Sequence, residues 1–483
     1  MEKRIISFSP PDITELEIAE VADALRSGWI TTGPKVKLLE RRLAAYIETG
    51  RTDIDCDAAE AVSRYSNRVV CLNSATAAEE LNLRILGIQP GDEVIVPAYT
   101  YSATASAAVH CGAKIVFVDI QKNGSSATGA PEMDYEKVAA AINVKTKAII
   151  PVDFGGIVCD YDKLFQIVEE KRAFYRPLND HSNVLADLGS RIQKGLGRVA
   201  VVSDCAHSLG ASRTVSRTGK GQTARERRYC GAIANFTSFS FHAVKNFTTA
   251  EGGAATWCLP QSVYDTGVTD EEIYKMYQLL SLHGQNKDAF AKNRAGAWEY
   301  DIIGSWYKCN MTDIMAALGL KQLDRYLGLL ARRAEIIRKY DAACERLGLS
   351  HLLHHTDGMD SSNHLYPIRV PGITEAQRNM MIEKLASRGV SVNVHYKPLP
   401  MMTAYKGMTD DFENSLDYYS NLITFPLHTR LKDEDITYIC ETMKIVMNEV
   451  LCEEEEPDPQ VDLCSDRRIC NSIFYSIQPE CRT

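Results

Sequence analysis

Lys245 lies in SFSFHAVKNFTTAEGG, residues 238–253, just past an apolar run and ahead of two threonines and two glycines. Its neighbours Phe241, Ala243, Val244 and Phe247 are apolar. Such surroundings disfavour the ammonium form and free the amine as a nucleophile, which is what Schiff-base chemistry requires. A solvated surface charge is the competing reading for any loop lysine. In VVSDCAHSLGA, residues 201–211, Asp204 ends an apolar run, the place where open α/β sheets bind ligands. It reads either as a helix cap or as the carboxylate partner of a protonated ring nitrogen. His207, three residues on, is placed to reach the same ring or to sit in the core. CLNSATAAEELNL, residues 71–83, runs from a strand into Ser74, Ala75 and Thr76. Backbone N–H groups at a helix start bind anions, though Ser74 and Thr76 serve equally as N-caps. In EVIVPAYTYSATA, residues 93–105, Tyr101 follows a strand end, either flat on a planar ring or simply half-buried. The order decides among these readings: anion turn, aromatic ring, acid at a strand end, lysine at a later strand end.

The elements that must position these groups are legible as alternation. Apolar strands at 68–72, 93–97, 114–120, 147–154 and 198–204 are separated by helical stretches such as 74–87 and 162–173. β-Branched runs that are apolar throughout belong to strands covered on both faces, and their alternation with helices predicts a mostly parallel sheet in an α/β domain. Residues 12–27 carry Leu16, Val21 and Leu25 on one side and predict an amphipathic helix ending at Gly28. Residues 311–345 read as one long helix, and 350–450 as a smaller mixed unit. Segments 49–67, 172–198 and 213–230 interrupt the pattern as inserted connections. The last of these carries six basic residues and one acidic residue, and reads as a solvated loop or as a surface that attracts a nucleotide diphosphate. The expected division is 1–260 for the large α/β domain, 261–330 for connecting helices, 331–451 for a small α+β domain, and 452–483 for an acidic disordered tail.

Composition sets the class. The chain has 483 residues, 45% hydrophobic and 24% charged, with a formal net charge of -9. That is globular, longer than one compact core, and without the basic field that nucleic acid demands. No apolar run is long enough for a membrane span, and the amino terminus lacks a signal peptide's apolar stretch, so the cytoplasm is expected. The fourteen cysteines show no paired zinc spacing. Cys71, Cys111, Cys159 and Cys205 are expected to be reduced and buried, with no metal. A nicotinamide enzyme fits poorly, because GLG at 195–197 precedes its strand instead of following it.

The wording of the motifs resembles the DegT/DnrJ/EryC1/StrS family of sugar aminotransferases, of fold type I in the aspartate aminotransferase superfamily. The resemblance covers residues 5–450 and is carried by GWITTGP (28–34), NSATAA (73–78), PGDEVIVPAYTYSATA (90–105), the DCAH segment, FSFHAVKNFTTAEGG (239–253), YKCNMTDIMAALG (307–319) and VNVHYKPLP (392–400). It implies pyridoxal 5'-phosphate as cofactor, held covalently by Lys245, which also shuttles the proton. It implies Asp204 on the pyridinium, Tyr101 on the ring, His207 near the phenolic oxygen, and Ser74, Ala75, Thr76 and Ser240 around the phosphate. His395 and Tyr396 match a segment over the substrate. It further implies a homodimer whose second subunit completes the site from 307–310. Many members have Asn at the position of Lys308 and Arg at that of Asn310, so which of the two reaches the phosphate stays open. Family dehydratases and deoxygenases carry His at the lysine position, and Lys245 argues against them. The implied reaction moves an amino group from L-glutamate to a nucleotide-linked keto-sugar, a UDP- or dTDP-linked 4-keto-6-deoxyhexose, with a 3-keto sugar or a non-catalytic regulatory protein as the alternatives.

Overall fold

The structure, a computed structural model, describes residues 4–219, 222–286 and 299–452. The alternating pattern folds as a seven-stranded sheet built from β1 (Val69–Leu72), β2 (Glu93–Pro97), β3 (Lys114–Val118), β4 (Thr146–Ile149) and β5 (Ala200–Asp204), together with two later strands. Between them the chain makes a hairpin, β6 (Ser212–Gly219) and β7 (Gln222–Tyr229), before returning as β8 (Phe236–Ser240) and β9 (Gly253–Trp257). The order is β1-β9-β8-β5-β4-β2-β3. β2, β3, β4, β5 and β8 run parallel, and β9 is antiparallel to both its neighbours. The carboxyl ends of β1, β2, β5 and β8 therefore open on one edge, beside the amino end of β9, the edge where such sheets bind ligands.

Side-chain alternation divides the strands between two cores. Val69, Cys71, Ile95, Ile149 and Val201 face one, with Leu39 and Leu43 of the helix Pro34–Thr49 and Leu320 and Leu323 of the helix Asp313–Leu347. Val70, Leu72, Val94, Val96, Ala200 and Val202 face the other, with Leu81, Leu188 and Tyr277. A third core lies on the sheet of β10 (Ser350–His351), β13 (Tyr366–Arg369) and β14 (Leu422–Phe425), covered by Met381, Leu385, Ile439 and Met443. The fold is thus α/β with a mostly parallel central sheet, as the pattern implies. No helix among the described residues is long and apolar enough to cross a membrane.

Three expectations need correction. The segment 172–198 is not a plain connection. It contains the helix Val184–Leu196, capped by the Asn183 side chain, which accepts from the N–H groups of Leu185 and Ala186. The segment 213–230 is the β6–β7 hairpin, extended by β12 (Met359–Asp360) and β11 (His355–Thr356) into a four-stranded sheet. It is no loop, because every residue from Ser212 to Gly219 pairs with one from Gln222 to Tyr229. The helix Glu15–Arg26 forms, but Leu16 and Leu25 are exposed. It packs instead through Ala24 and through Glu17, whose carboxylate is held by Thr14, Gln322 and Arg325. The acidic tail lies outside the described residues.

Candidate active site

The loop after β8 holds Lys245 by sealing itself. Phe241 and Phe247 are fully buried and meet edge to face at 4.7 Å. The Phe241 N–H donates to the Gly252 carbonyl at 2.8 Å, and the Thr249 N–H donates back to the Phe241 carbonyl at 2.9 Å. Asn246 donates to the Ser362 carbonyl and pairs with His364 Nδ1 at 2.8 Å, tying the loop to the segment after β12. The two phenylalanines, the threonines and the Asn thus each close part of the loop. Lys245 is left facing a cavity of about 420 Å³. Burial there pushes its amine down to about 8, opposed by the charge of Asp204. The amine is accordingly a far better nucleophile near neutral pH than an ordinary lysine.

The same cavity is lined by Ser74, Ala75, Thr76, Tyr101, Asp204, His207, Ser240, His395 and Tyr396. The structure thus brings together every expected residue except Lys308 and Asn310. The Asp204 carboxylate is buried and fixed at both oxygens, by the Thr104 hydroxyl at 2.7 Å and the Ala206 N–H at 3.1 Å. Burial pushes its pKa above the usual carboxylate range against the pull of Thr104, Ala206 and Lys245. A cation beside it would restore the ionised form. His207 Nδ1 accepts the Gly155 N–H at 3.1 Å, which leaves Nε2 to donate to the Tyr396 hydroxyl at 3.1 Å. Burial, then the charge of Lys245, hold the imidazole neutral. His395, held by Thr424 at 3.1 Å, is pushed down to about 3 by burial and is neutral too. Tyr101 is 61% exposed at the mouth, 5.9 Å from the Tyr396 ring.

The candidate anion end is the start of the helix Ala75–Ile85. The Ser74 hydroxyl caps it by accepting from the Ala77 N–H at 3.1 Å, as the capping reading of that motif expects. Gly253 at the start of β9 makes room for this turn. A Cβ there would lie 2.4 Å from the Ser74 carbonyl carbon and 2.5 Å from the Ala75 nitrogen.

Lys308 and Asn310 lie beyond the end of β1. Asn310 bridges to Leu72, its amide donates to the Thr32 hydroxyl, and Lys308 bonds to its side-chain carbonyl. Neither lines the cavity of its own chain. Among the described residues, none of the hairpin lines it either. Arg213, Arg227 and Arg228 pair with Asp160, Asp360 and Glu226.

Sequence reasoning missed Glu79, Thr104 and His364. Thr104 lies three residues after Tyr101 on a short helix, a spacing that turns it towards Asp204. His364 stands 4.4 Å from the His207 ring but far from it in sequence, with no local signal. The buried cluster of Asp153, Cys205 and Cys230 has ligand atoms close enough for a metal, but both thiols donate to the Asp153 carboxylate at 3.2 Å. Cys71, Cys111, Cys159 and Cys205 are free and buried.

The donor set suits a planar, phosphorylated, aldehyde-bearing cofactor: an anion-binding helix start, a buried acid, a neutral imidazole and a nucleophilic amine around one cavity. Comparison with known proteins agrees. The model of the DegT/DnrJ/EryC1/StrS aminotransferase family matches residues 11–174 and 192–444. The spore coat polysaccharide biosynthesis protein SpsC of Bacillus subtilis is 32% identical over 453 residues, 92% of this chain and 97% of that protein. The UDP-4-amino-4-deoxy-L-arabinose–oxoglutarate aminotransferase of Shewanella sediminis is 32% identical over 409 residues, 84% of this chain and 87% of its own. Spr1654 of Streptococcus pneumoniae, described as a sugar aminotransferase, is 49% identical in its apo form, with a TM-score of 0.80 over 94% of this chain and 100% of that one. Its PLP form is 48% identical, with a TM-score of 0.78 over 92% of this chain and 100% of that one. With the match running through every motif that lines the cavity, the chain belongs to the DegT/DnrJ/EryC1/StrS aminotransferase family.

Proposed function

We propose that this chain is a pyridoxal-phosphate-dependent sugar aminotransferase, moving an amino group from L-glutamate to a nucleotide-linked keto-sugar, a UDP- or dTDP-linked 4-keto-6-deoxyhexose, for glycan or polysaccharide assembly. The observation that carries the reading is the convergence of Lys245, Asp204 and the Ser74–Thr76 turn on one cavity. The relatives support it. One is named for spore coat polysaccharide biosynthesis, another for a UDP-linked amino sugar and an oxoglutarate partner, and a third has been solved in PLP and PMP forms.

Bound here, pyridoxal phosphate supplies a carbonyl that takes up and releases the amino group and a ring that accepts electrons from the carbon losing its proton. The protein's own groups do the rest. The backbone at Ala75 and Thr76, with Ser240, holds the phosphate. Asp204, fixed by Thr104 and Ala206, keeps the ring nitrogen protonated. His207 sits neutral beside the ring, aligned by Gly155 and Tyr396. Lys245 Nζ takes the proton from the amino-bearing carbon and returns it one position over, for which an amine with a pKa of about 8 is suited. Tyr101 and Tyr396 cover the mouth and limit water. His395 and Tyr396 face the incoming sugar. We read the site as completed in a homodimer by the partner's 308–310 segment, a reading supported by Lys308 and Asn310 not lining the cavity of their own chain.

The test is the visible spectrum of the purified protein with pyridoxal phosphate, before and after L-glutamate. A band that forms and then shifts supports the first half-reaction, and mass spectrometry of keto-sugar nucleotides added to the loaded protein reports the second. A band that ignores glutamate removes the donor assignment, and no band at all removes the cofactor.

A further inference from the structure

Glu79 is a carboxyl group that the reaction outlined above does not use. It lies one turn into the helix Ala75–Ile85, whose start binds the anion, and it is 2% exposed. Side chains on a helix lean towards its amino terminus, which carries this one towards the cavity. Glu79 does line the cavity, with Ser74, Ser238, Ser240 and Asp204. Its Oε2 accepts from the Ser238 hydroxyl. Its Oε1 is buried and has no hydrogen-bond partner. A buried polar atom without a partner is costly to the fold, so its presence at a binding cavity calls for a function.

The charges around it define its state. Asp204 faces it from β5, Tyr277 from the helix Asp270–Ser281, and Cys111 from beyond the helix Ser102–His110. Among the described residues Lys245, across the cavity, is the one lysine or arginine lining it, with the imidazoles of His207, His242 and His395. Burial and the Asp204 carboxylate both push Glu79 well above the usual carboxylate range, and only the Ser238 hydroxyl opposes them. With Asp204 beside it and a phosphate in the cavity, an ionised Glu79 would add a further negative charge in a buried setting, which disfavours that form. A neutral acid, by contrast, is a donor suited to an anion.

We infer that Glu79 is a further cofactor-positioning residue: a neutral carboxylic acid, anchored by Ser238, whose Oε1 side donates a hydrogen bond to the phosphate of bound pyridoxal phosphate. The inference rests on the cofactor assignment proposed above. Ser74, Ala75 and Thr76 supply the electrostatic hold, and Glu79 adds a donor from the same helix without adding charge.

Infrared difference spectroscopy tests this directly. The wild-type protein should show the carbonyl stretch of a protonated carboxylic acid, lost in Glu79→Gln and displaced when pyridoxal phosphate or inorganic phosphate is added. By equilibrium dialysis of pyridoxal phosphate, Glu79→Gln, which keeps a neutral donor, should retain affinity within about threefold, and Glu79→Leu should lose about tenfold, a single hydrogen bond's worth. Circular dichroism establishes that each variant is folded; should neither Glu79 variant fold, Asp204→Asn removes the other buried acid of the cavity, and an acid band that persists there and is displaced by phosphate belongs to Glu79. An acid band that is missing, or that ignores both ligands, overturns the inference, as does equal weakening by Gln and Leu. If pyridoxal phosphate produces no visible band with the wild-type protein, it is the cofactor assignment that fails.

Discussion

At the scale of single residues, the site is a set of environments that change ordinary side chains. Lys245 differs from a surface lysine because the Phe241–Phe247 seal takes its amine out of water. Only the unprotonated amine attacks an aldehyde, so uptake of pyridoxal phosphate by the apo protein should rise with pH through about 8 and level off above it. One unit below that value the rate should be roughly tenfold under the plateau. Stopped-flow absorbance measures it, and a profile still rising near the ordinary lysine value would show the loop to be open to solvent. Lys245→Ala should bind no cofactor covalently and turn over no substrate, read from the visible band and from amino-sugar product. Asp204→Asn removes the carboxylate charge proposed to keep the ring nitrogen protonated; its one amide oxygen keeps the bond from Ala206, and the Thr104 hydroxyl must turn to accept from the amide N–H. It should slow the glutamate half-reaction by roughly a hundredfold, about 3 kcal/mol in the barrier. Single-turnover kinetics at saturating glutamate separate that loss from weaker binding.

At the scale of elements, the decisive contact is the close approach of β9 to the start of the helix Ala75–Ile85. Gly253→Ala would place a methyl against the Ser74 carbonyl carbon and the Ala75 nitrogen, backbone atoms that cannot step aside without moving the anion turn. The change should cost about 1–3 kcal/mol of stability and weaken cofactor retention along with it, measured by thermal unfolding and dialysis. Loss of stability with unaltered retention would mean that the turn is not the phosphate end. The sequence was legible where one periodicity ran unbroken, as in β1, β2 and β5, and where a motif ended a strand, as at Asp204 and Lys245. It was less so where glycine or charge disguised an element. Val184–Leu196 is a helix whose apolar line Leu188, Ile192 and Leu196 is broken by Gly189, and that glycine is needed because a Cβ there would lie 2.8 Å from the Gly87 Cα. The β6–β7 hairpin hid behind its arginines. Leu16 and Leu25 mark an apolar stripe that the fold leaves outward, since Glu17 and Ala24 made the inner contact. Glu79 was invisible for the opposite reason: beside Glu80 on a helix it reads as surface, and only the packing of β8 shows that it is enclosed.

At the scale of the whole molecule, the proposed shared site makes a prediction that no single chain can satisfy. Lys245→Ala and a Lys308→Ala, Asn310→Ala double variant should each be inactive alone. Mixed and allowed to exchange, they should recover activity, because a hybrid dimer contains one site with Lys245 from one chain and the 308–310 segment from the other. Assay of the mixture against the separate proteins measures this, and no recovery in verified hybrids would place both residues outside the site. The order of the sheet has a consequence for how the protein is made. Val69 must pair with Thr256 and Leu72 with Gly253, so the edge strand that carries the anion turn has no partner until the ribosome has delivered the far side of the lysine loop. At ordinary elongation rates that interval is on the order of ten to forty seconds. Throughout it an apolar strand waits unpaired on the nascent chain, which makes this segment the natural point for a chaperone to engage and the first place where slowed translation would lead to aggregation.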